Sequence, residues 1–422
     1  MPEEIADIAV VGAGAAGLMT AIAAGRVAQN SKSRIFIFDT RKKIGAKILI
    51  SGGTRCNVTH VRVLPSDYEG GPKHFVKHVL EAFSPNETIR FFEQIGVMLV
   101  LEPTGKYFPT THSGKTILEA LLKETERLSV ILKTGIRIET IEQRNGLFYL
   151  TSSSDRSVEK FTSKRIVLTT GGLSYPETGS DGTGYKIAKS FGHSLVETSP
   201  ALTPLLTHDS DWPLLSGVVL EAKLSYFESG RKVKEIKGPI LFTHFGFSGP
   251  AALDISRYFA RADKKNKPVI ESSFLPQETE ESLNRQFKTA QQQSSNKFLK
   301  NFLMDVLGLP ARFVEIFLKK ISFDEKEPLG RLREARMRKL SHLLLNFPLP
   351  VTEVFGYKKA EVTAGGIDLR EIHFSTMESK LVAGLYFAGE ILDVDGRIGG
   401  FNFQWAWSTG TIAGRSAAKS LL

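Results

Sequence analysis

Asp7-Ile-Ala-Val-Val-Gly-Ala-Gly-Ala-Ala-Gly17 decides how this chain is read. Ile8 to Val11 is a short, β-branched apolar run of the kind that fills a buried parallel strand. Gly12, Gly14 and Gly17 then give G-x-G-x-x-G, and Leu18 to Gln29 continues with small and apolar residues at helical spacing. Gly12 permits the tight turn, Gly14 lets backbone approach a pyrophosphate, and Gly17 lets helix and strand pack closely. The diphosphate then sits at the helix N-terminus, where free N–H groups and the helix dipole favour an anion. A second strand, Arg34-Ile-Phe-Ile-Phe38, ends in Asp39, about 20 residues on, where a carboxylate reaches ribose hydroxyls. The competing explanation, an ordinary Gly-rich β-α turn, accounts for the glycines but not for strand, helix, second strand and acid in that order.

The rest of the chain fits a globular protein of two or three domains: of 422 residues, 41% are hydrophobic and 24% charged. Glu3, Glu4 and Asp7 run directly into the first strand, so no signal peptide is expected, and no apolar run approaches a membrane span. The single cysteine, Cys56, excludes an internal disulfide or a Cys-rich metal site and fits a cytoplasmic protein; no metal is expected. A net charge of +10 permits a polyanionic partner without requiring one.

Arg41-Lys-Lys-Ile-Gly-Ala-Lys47 and Ser51-Gly-Gly-Thr-Arg-Cys-Asn57 lack core-forming side chains, which suits a loop lying against a ligand. One helix is expected over 73–95, another at 114–127 starting near Ser113, and strands at 130–132, 135–141 and 147–151, with a polar turn between 152 and 160. Arg165-Ile-Val-Leu-Thr-Thr-Gly-Gly172 reads as a buried strand ending in glycines, followed by a helix at 183–191. Short β pieces follow at 203–207, 217–227 and 240–244, with turns expected at Pro213, Ser229-Gly230 and Gly238-Pro239. Residues 276–345 turn polar, helical and basic; residues 256–346 carry 18 Lys and Arg against 11 Asp and Glu. Near Val351 the pattern of the nucleotide domain resumes: Leu385-Tyr-Phe-Ala-Gly-Glu390 is a third strand ending in glycine, and Gly399-Gly400 opens a final helix.

The expected class is therefore α/β: a Rossmann-like domain of residues 1–197 and 352–422, interrupted by a β-rich insert (198–275 with 342–351) and a helical basic insert (276–341). Three separated Gly-ended strands and a C-terminal helix favour FAD over a nicotinamide dinucleotide as the resident cofactor. No second G-x-G-x-x-G follows a strand, so NAD(P)H would be a transient co-substrate sharing the substrate cavity.

Ser51-Gly-Gly-Thr-Arg-Cys-Asn57, Thr170-Gly-Gly-Leu-Ser-Tyr-Pro176, Leu241-Phe-Thr-His-Phe-Gly-Phe-Ser-Gly-Pro250, Val362-Thr-Ala-Gly-Gly366 and Ala388-Gly-Glu-Ile-Leu-Asp-Val-Asp-Gly396 with Gly399-Gly-Phe-Asn-Phe-Gln-Trp-Ala406 resemble the aminoacetone-oxidase/BaiN-type (YhiN-like) family. The resemblance spans nearly the whole chain and departs at Arg397-Ile398. It implies a two-dinucleotide-binding-domains flavoprotein fold and NAD(P)/FAD-dependent oxidoreductase activity. Activities attached to similar proteins are aminoacetone oxidation, bile-acid reduction and reduction of a ribosomal RNA uridine to dihydrouridine. The match carries the FAD-site candidates: Gly12, Gly14, Ala15, Ala16, Gly17, Asp39, Thr40, Lys47, Ser51, Gly52, Arg55, Cys56, Asn57, Thr170, Gly171, Gly172, Gly389, Glu390, Asp393, Gly400, Phe401, Asn402 and Gln404, with Ile138 as a backbone contact to adenine.

Cys56 is a candidate proton donor or an inert pocket residue. His244 is a candidate acid or a hydrogen-bonded interface histidine. Ser248-Gly-Pro250 reads as a helix cap, and Asp181 as either a cofactor contact or a turn former. Arg331, Arg333, Arg336, Arg338 and Lys339 form either a solvated helix face or an RNA contact. Three functions follow: hydride transfer through flavin N5 to a uridine of ribosomal RNA, a small-molecule amine oxidase or dehydrogenase, and a flavin-stabilised RNA-binding assembly factor.

Overall fold

The computed structural model describes residues 5–31, 33–153 and 158–422. Glu3, Glu4 and the middle of the polar turn expected at 152–160 lie outside the described residues. Strand β1 (Ile5–Val11) is followed by helix α1 (Ala15–Val27) and strand β2 (Ile35–Asp39). With β3 (Ile131–Thr134), β4 (Val158–Leu168) and β5 (Leu385–Phe387), these form a parallel array in the order β3-β2-β1-β4-β5. Val10 pairs with Ile37 on one side and Val167 on the other, and Val167 pairs with Tyr386. Both faces are covered, which is why the strands read as continuous apolar runs. The lower half of β4 pairs antiparallel with Leu147–Ser153, which in turn pairs with Arg137–Arg144.

In this order the chain reverses direction across the sheet between β1 and β4. A crevice outside the carboxyl ends of those two strands is where open α/β sheets place ligands. Helix α1 is buried from Ala16 to Gly25 and packs along the last helix of the chain, α4 (Phe401–Lys419). Gly410 and Gly414 make that approach possible. A Cβ on Gly410 would lie 2.7 Å from the Ala16 carbonyl oxygen, and one on Gly414 would lie 2.1 Å from that of Thr20. The helix expected over 73–95 is two, Lys73–Ala82 and α2 (Pro85–Gln94). Pro85 cannot continue a helix, and Ser84 caps the second with Glu87 in a reciprocal box.

Contacts divide the chain into two units, residues 1–199 with 361–422 and residues 200–360. Residues 352–360, read from sequence as part of the nucleotide domain, group with the second unit, where Glu353–Val354 pairs with Leu205–Leu206. That unit has a seven-stranded antiparallel sheet whose main hairpin, Val219–Glu228 with Arg231–Thr243, turns at Ser229-Gly230, whereas Gly238-Pro239, expected as a turn, lies inside the second strand, paired with Ala222 and Glu221. Its helices are Pro250–Ala260, Glu280–Gln293, Leu299–Asp305, Ala311–Lys320 and α3 (Glu334–Leu345). The β-rich and helical inserts expected as separate bodies share one core. Trp212 stacks on Phe242 of the sheet at 5.6 Å, and Phe274 meets Phe313 of a helix at 4.7 Å.

Candidate active site

At the end of β1 the chain turns at Gly12, whose φ of +108° suits glycine alone. Thr169, just past β4, clamps this turn by donating its hydroxyl to the Val11 and Gly12 carbonyls at 2.9 and 2.8 Å. A Cβ on Gly17 would fall 1.8 Å from the Gly12 carbonyl oxygen, so α1 rests directly on the turn. Gly14 is different. It is the N-cap of α1, and a Cβ there would meet no described protein atom within 4 Å. The first-turn N–H groups of Ala15, Ala16 and Gly17 have no partner within the helix and face an open approach, the chemistry of an anion seat. Asp39 closes the other side. Its Oδ2 accepts from Ala13 N at 2.7 Å and its Oδ1 from Arg41 N at 2.8 Å, while burial pushes its carboxyl above the ordinary range despite both bonds. Thr40 follows it.

The loops after the other strands are tied together by one polar knot. Lys47 Nζ donates to Glu390 Oε2 and to Ser174 Oγ, both at 2.8 Å. Glu390 Oε1 accepts from Ser174 Oγ at 2.8 Å and from Thr363 N at 3.0 Å. Thr363 Oγ1 in turn accepts from Leu173 N and Ser174 N, at 2.7 and 3.1 Å. The knot therefore joins the segment after β2, the Thr170-Gly171-Gly172 turn after β4, the Val362–Ile367 strand and the Gly389-Glu390 turn after β5. Gly389 sits close against α1, where a Cβ would lie 2.7 Å from the Ala16 Cβ.

Ser51 to Asn57 forms a tight loop in which Gly52, Gly53, Thr54 and Cys56 all have positive φ. For Thr54 and Cys56 that conformation costs about 1–3 kcal/mol each, strain of the kind found at ligand-holding loops. Arg55 fixes the loop through Glu102 at 2.6 Å and the face of Phe108 at 4.0 Å. Asn57, oriented so that its amide donates to Thr59 O and accepts from Gly400 N (both 3.1 Å), joins the loop to the start of α4. Cys56 is fully buried, which pushes its thiol up to about 12 although Ser51 bonds to it. It is a neutral thiol across the physiological range, suited to holding a proton and unsuited to acting as a thiolate.

A family profile described as HI0933-like protein Rossmann domain matches residues 6–416. The chain belongs to the HI0933-like family. It is 32% identical over 414 residues to a 3-dehydro-bile acid delta(4,6)-reductase of Clostridium scindens, covering 98% of this chain and 99% of that one. It is 34% identical over 420 residues to a ribosomal RNA dihydrouridine synthase of Escherichia coli, covering 98% and 99%. In fold it is similar to the crystal structure of 3-ketosteroid delta1-dehydrogenase from Sterolibacterium denitrificans (TM-score 0.52, 10% identity, 99% of this chain and 100% of that one). This HI0933-like protein is an enzyme of the FAD-dependent oxidoreductase class.

Other residues singled out in the HI0933-like sequence fall elsewhere or are already committed. Gln404 is fully buried with both ends of its amide engaged: Oε1 accepts from Thr59 and Thr88, and Nε2 donates to Phe83 O and Ser408. No part of it is left for a ligand, and its place is in packing. Asn402 is spent on Gly396, accepting from its N and donating to its O at 2.8 Å. Phe401 is buried and its carbonyl accepts from Tyr68. The departing Arg397 pairs with Asp67 at 2.9 Å and lies over Phe401 at 4.3 Å, fastening the turn before α4. Asp181 shapes its turn, accepting from Thr183 N and pairing with Arg137 at 2.6 Å. Ile138 is buried beside Ser152, and the Asp393 carbonyl accepts from Gly71 N.

His244 belongs to the second unit, in the turn between Thr243 and Gly246, with its ring edge-on to Phe245 at 4.8 Å. The cap at Pro250 is Gly249, with no side-chain bond; Ser248 ends a strand instead. All five basic candidates on or just before α3 are exposed. Arg336 pairs with Glu327 and Arg338 with Glu334, whereas Arg331, Arg333 and Lys339 form no ion pair among the described residues. Sequence reasoning assigned no role to Ser174 and Thr363, although both stand inside the family motifs. Their place at the centre of the knot depends on which strands are neighbours.

Proposed function

We propose that this enzyme holds FAD across the ends of β1, β4 and β5 and saturates a carbon–carbon double bond, with NAD(P)H as electron donor and a uracil base of ribosomal RNA as substrate. The observation that carries the reading is the adjacency, in one parallel array, of three Gly-ended strands from residues 12, 171 and 389. The open space at Gly14 fits the group, since the close approach of a diphosphate needs that missing Cβ. Gly12, Gly14, Ala15, Ala16 and Gly17 would hold the diphosphate, Asp39 and Thr40 the ribose, and Ile138 the adenine. Lys47, Ser51, Gly52, Arg55, Asn57, Thr170 to Gly172, Gly389, Glu390, Asp393 and Gly400 would line the remainder. Bound FAD would supply hydride at N5.

The names of the two curated relatives agree in chemistry rather than substrate. A delta(4,6)-reductase and a dihydrouridine synthase both yield a product with a double bond saturated. Such a reaction needs a proton for the second carbon, and the Cys56 thiol keeps its proton at neutral pH. RNA rather than a free small molecule is favoured by Arg331, Arg333 and Lys339, exposed and without an ion pair among the described residues. A paired base would have to leave its stack to reach a buried ring.

The deciding experiment is anaerobic. The flavin reduced with NADPH or NADH is offered ribosomal RNA fragments or an enone steroid acid, and in a separate arm the oxidised flavin is mixed with aminoacetone before O2 is admitted. Reoxidation by RNA with dihydrouridine formed is the expected result. Reoxidation only by the steroid acid, or turnover of the amine with O2, would overturn the substrate assignment. Protein that takes up no flavin would overturn the whole reading.

A further inference from the structure

On the nucleotide unit, α1, α2 and α4 enclose a second cavity of about 310 Å³, at the small end of the roughly 300–1,000 Å³ of ligand pockets. Its floor is apolar: Met19, Ile22, Phe83 and Phe91 are buried there. Its rim is cationic. Arg90 and Arg415 are exposed and make no ion pair among the described residues. Arg415 lies 6.0 Å above the Phe83 ring, and Arg26 lies 4.9 Å above Phe91 while already paired with Glu124 at 2.8 Å. The one acid on the rim, Glu87, is engaged by the Ser84 N–H at the start of α2. Thr411 of α4 also lines the cavity. It is 2% exposed, and its hydroxyl has no hydrogen-bond partner among the described residues. A buried hydroxyl left unpaired forfeits its hydration without replacement, so a polar ligand atom there is favoured.

The cavity is not an extension of the nucleotide seat. Along α1 its lining runs from Met19 to Arg26, five to twelve residues past Gly14 and about 8–18 Å along the axis. We propose that this cavity binds a small amphipathic carboxylate, its apolar body on the phenylalanine floor and its carboxylate between Arg90, Arg415 and the Thr411 hydroxyl. Inorganic phosphate would leave the floor uncovered, and a neutral alcohol would leave both guanidinium groups without a counter-charge.

The test is calorimetric titration of the flavin-loaded protein with decanoate below its micelle concentration. Saturable one-to-one binding is expected, at least about tenfold tighter than for decanol. Arg90→Ala combined with Arg415→Ala should lower the affinity for decanoate at least about tenfold with thermal stability and flavin content unchanged, since both side chains are exposed and form no ion pair among the described residues. Thr411→Val conserves volume and removes only an unpaired hydroxyl. It should leave folding intact and weaken decanoate about fivefold. Absence of saturable binding, equal affinity for decanol, or undiminished affinity in either variant would overturn the proposal.

Discussion

Gly14 and Gly17 lie three residues apart in one motif, yet alanine at each should fail in opposite ways. At Gly14 the backbone is extended (φ −80°, ψ −167°), a conformation open to alanine, and a Cβ meets no described atom within 4 Å. Gly14→Ala should therefore cost the apoprotein no more than about 1 kcal/mol, the scale of exchanging a fair N-cap for a poor one. What it fills is the approach to the first-turn N–H groups. Charge-assisted hydrogen bonds contribute about 1.5–3 kcal/mol each, so displacing a diphosphate from two donors should weaken FAD about 10²- to 10⁴-fold. At Gly17 the new Cβ would lie 1.8 Å from the Gly12 carbonyl oxygen and 2.8 Å from Thr169 Oγ1. Backbone cannot yield cheaply there, and about 3 kcal/mol or more of stability should be lost whether or not flavin is present. Flavin content after purification, FAD titration by fluorescence, and urea unfolding of the apoproteins separate the two. A Gly14→Ala protein that purifies with wild-type flavin, or an apo form destabilised as much as Gly17→Ala, would refute the assignment of the open space to a ligand.

Glu390→Gln should lower stability by about 1–3 kcal/mol, because Lys47 keeps its charge beside Ser174 with its counter-ion removed; urea midpoints with and without FAD measure it. The Cys56 thiol ionises near its ordinary 9.0 when unfolded and near 12 when folded, so its contribution is complete below pH 9 and lost as pH rises towards 12, about 4 kcal/mol in all. Cys56→Ala should flatten the fall in stability above pH 9, and if the thiol delivers the substrate proton it should also lower kcat with little change in KM. Replacing Arg331, Arg333 and Lys339 together by alanine should weaken RNA binding across sequences. It should also reduce the salt slope of affinity by about two units for single strands, in a filter-binding series; an unchanged slope would remove α3 from the RNA surface.

The nucleotide fold was legible because its signals are local. β-branched runs, glycines at a turn and an acid at the next strand end follow one another between Asp7 and Asp39, and β1, α1 and β2 form where that spacing puts them. The split at Pro85 was equally local, since Ser84-Pro-Asn-Glu87 is a complete capping box, but the apolar face of Phe75, Val79, Phe83 and Phe92 masked it. The second unit was harder. Arg231 to Lys237 is charged except for Val233 and Ile236, so half of the main hairpin carries no alternating strand signal, and a core shared by sheet and helices joins residues as far apart as Trp212 and Phe313. Within the site, the motifs marked Gln404 and Asn402 as cofactor contacts, whereas their amides are consumed by the protein. Whether an amide faces a ligand or a neighbouring carbonyl is settled by packing, which spacing does not encode.

The contact of α1 with α4 has a consequence for how this protein is made on the ribosome. Gly410 and Gly414 press against Ala16 and Thr20, so one face of the first helix stays uncovered until residues beyond 414 have been translated. At about 5–20 residues per second, the apolar helix that opens the nucleotide domain waits about 20–80 s for its partner. Chaperone dependence of newly made chains, rather than refolding in dilute buffer, is where that delay should show.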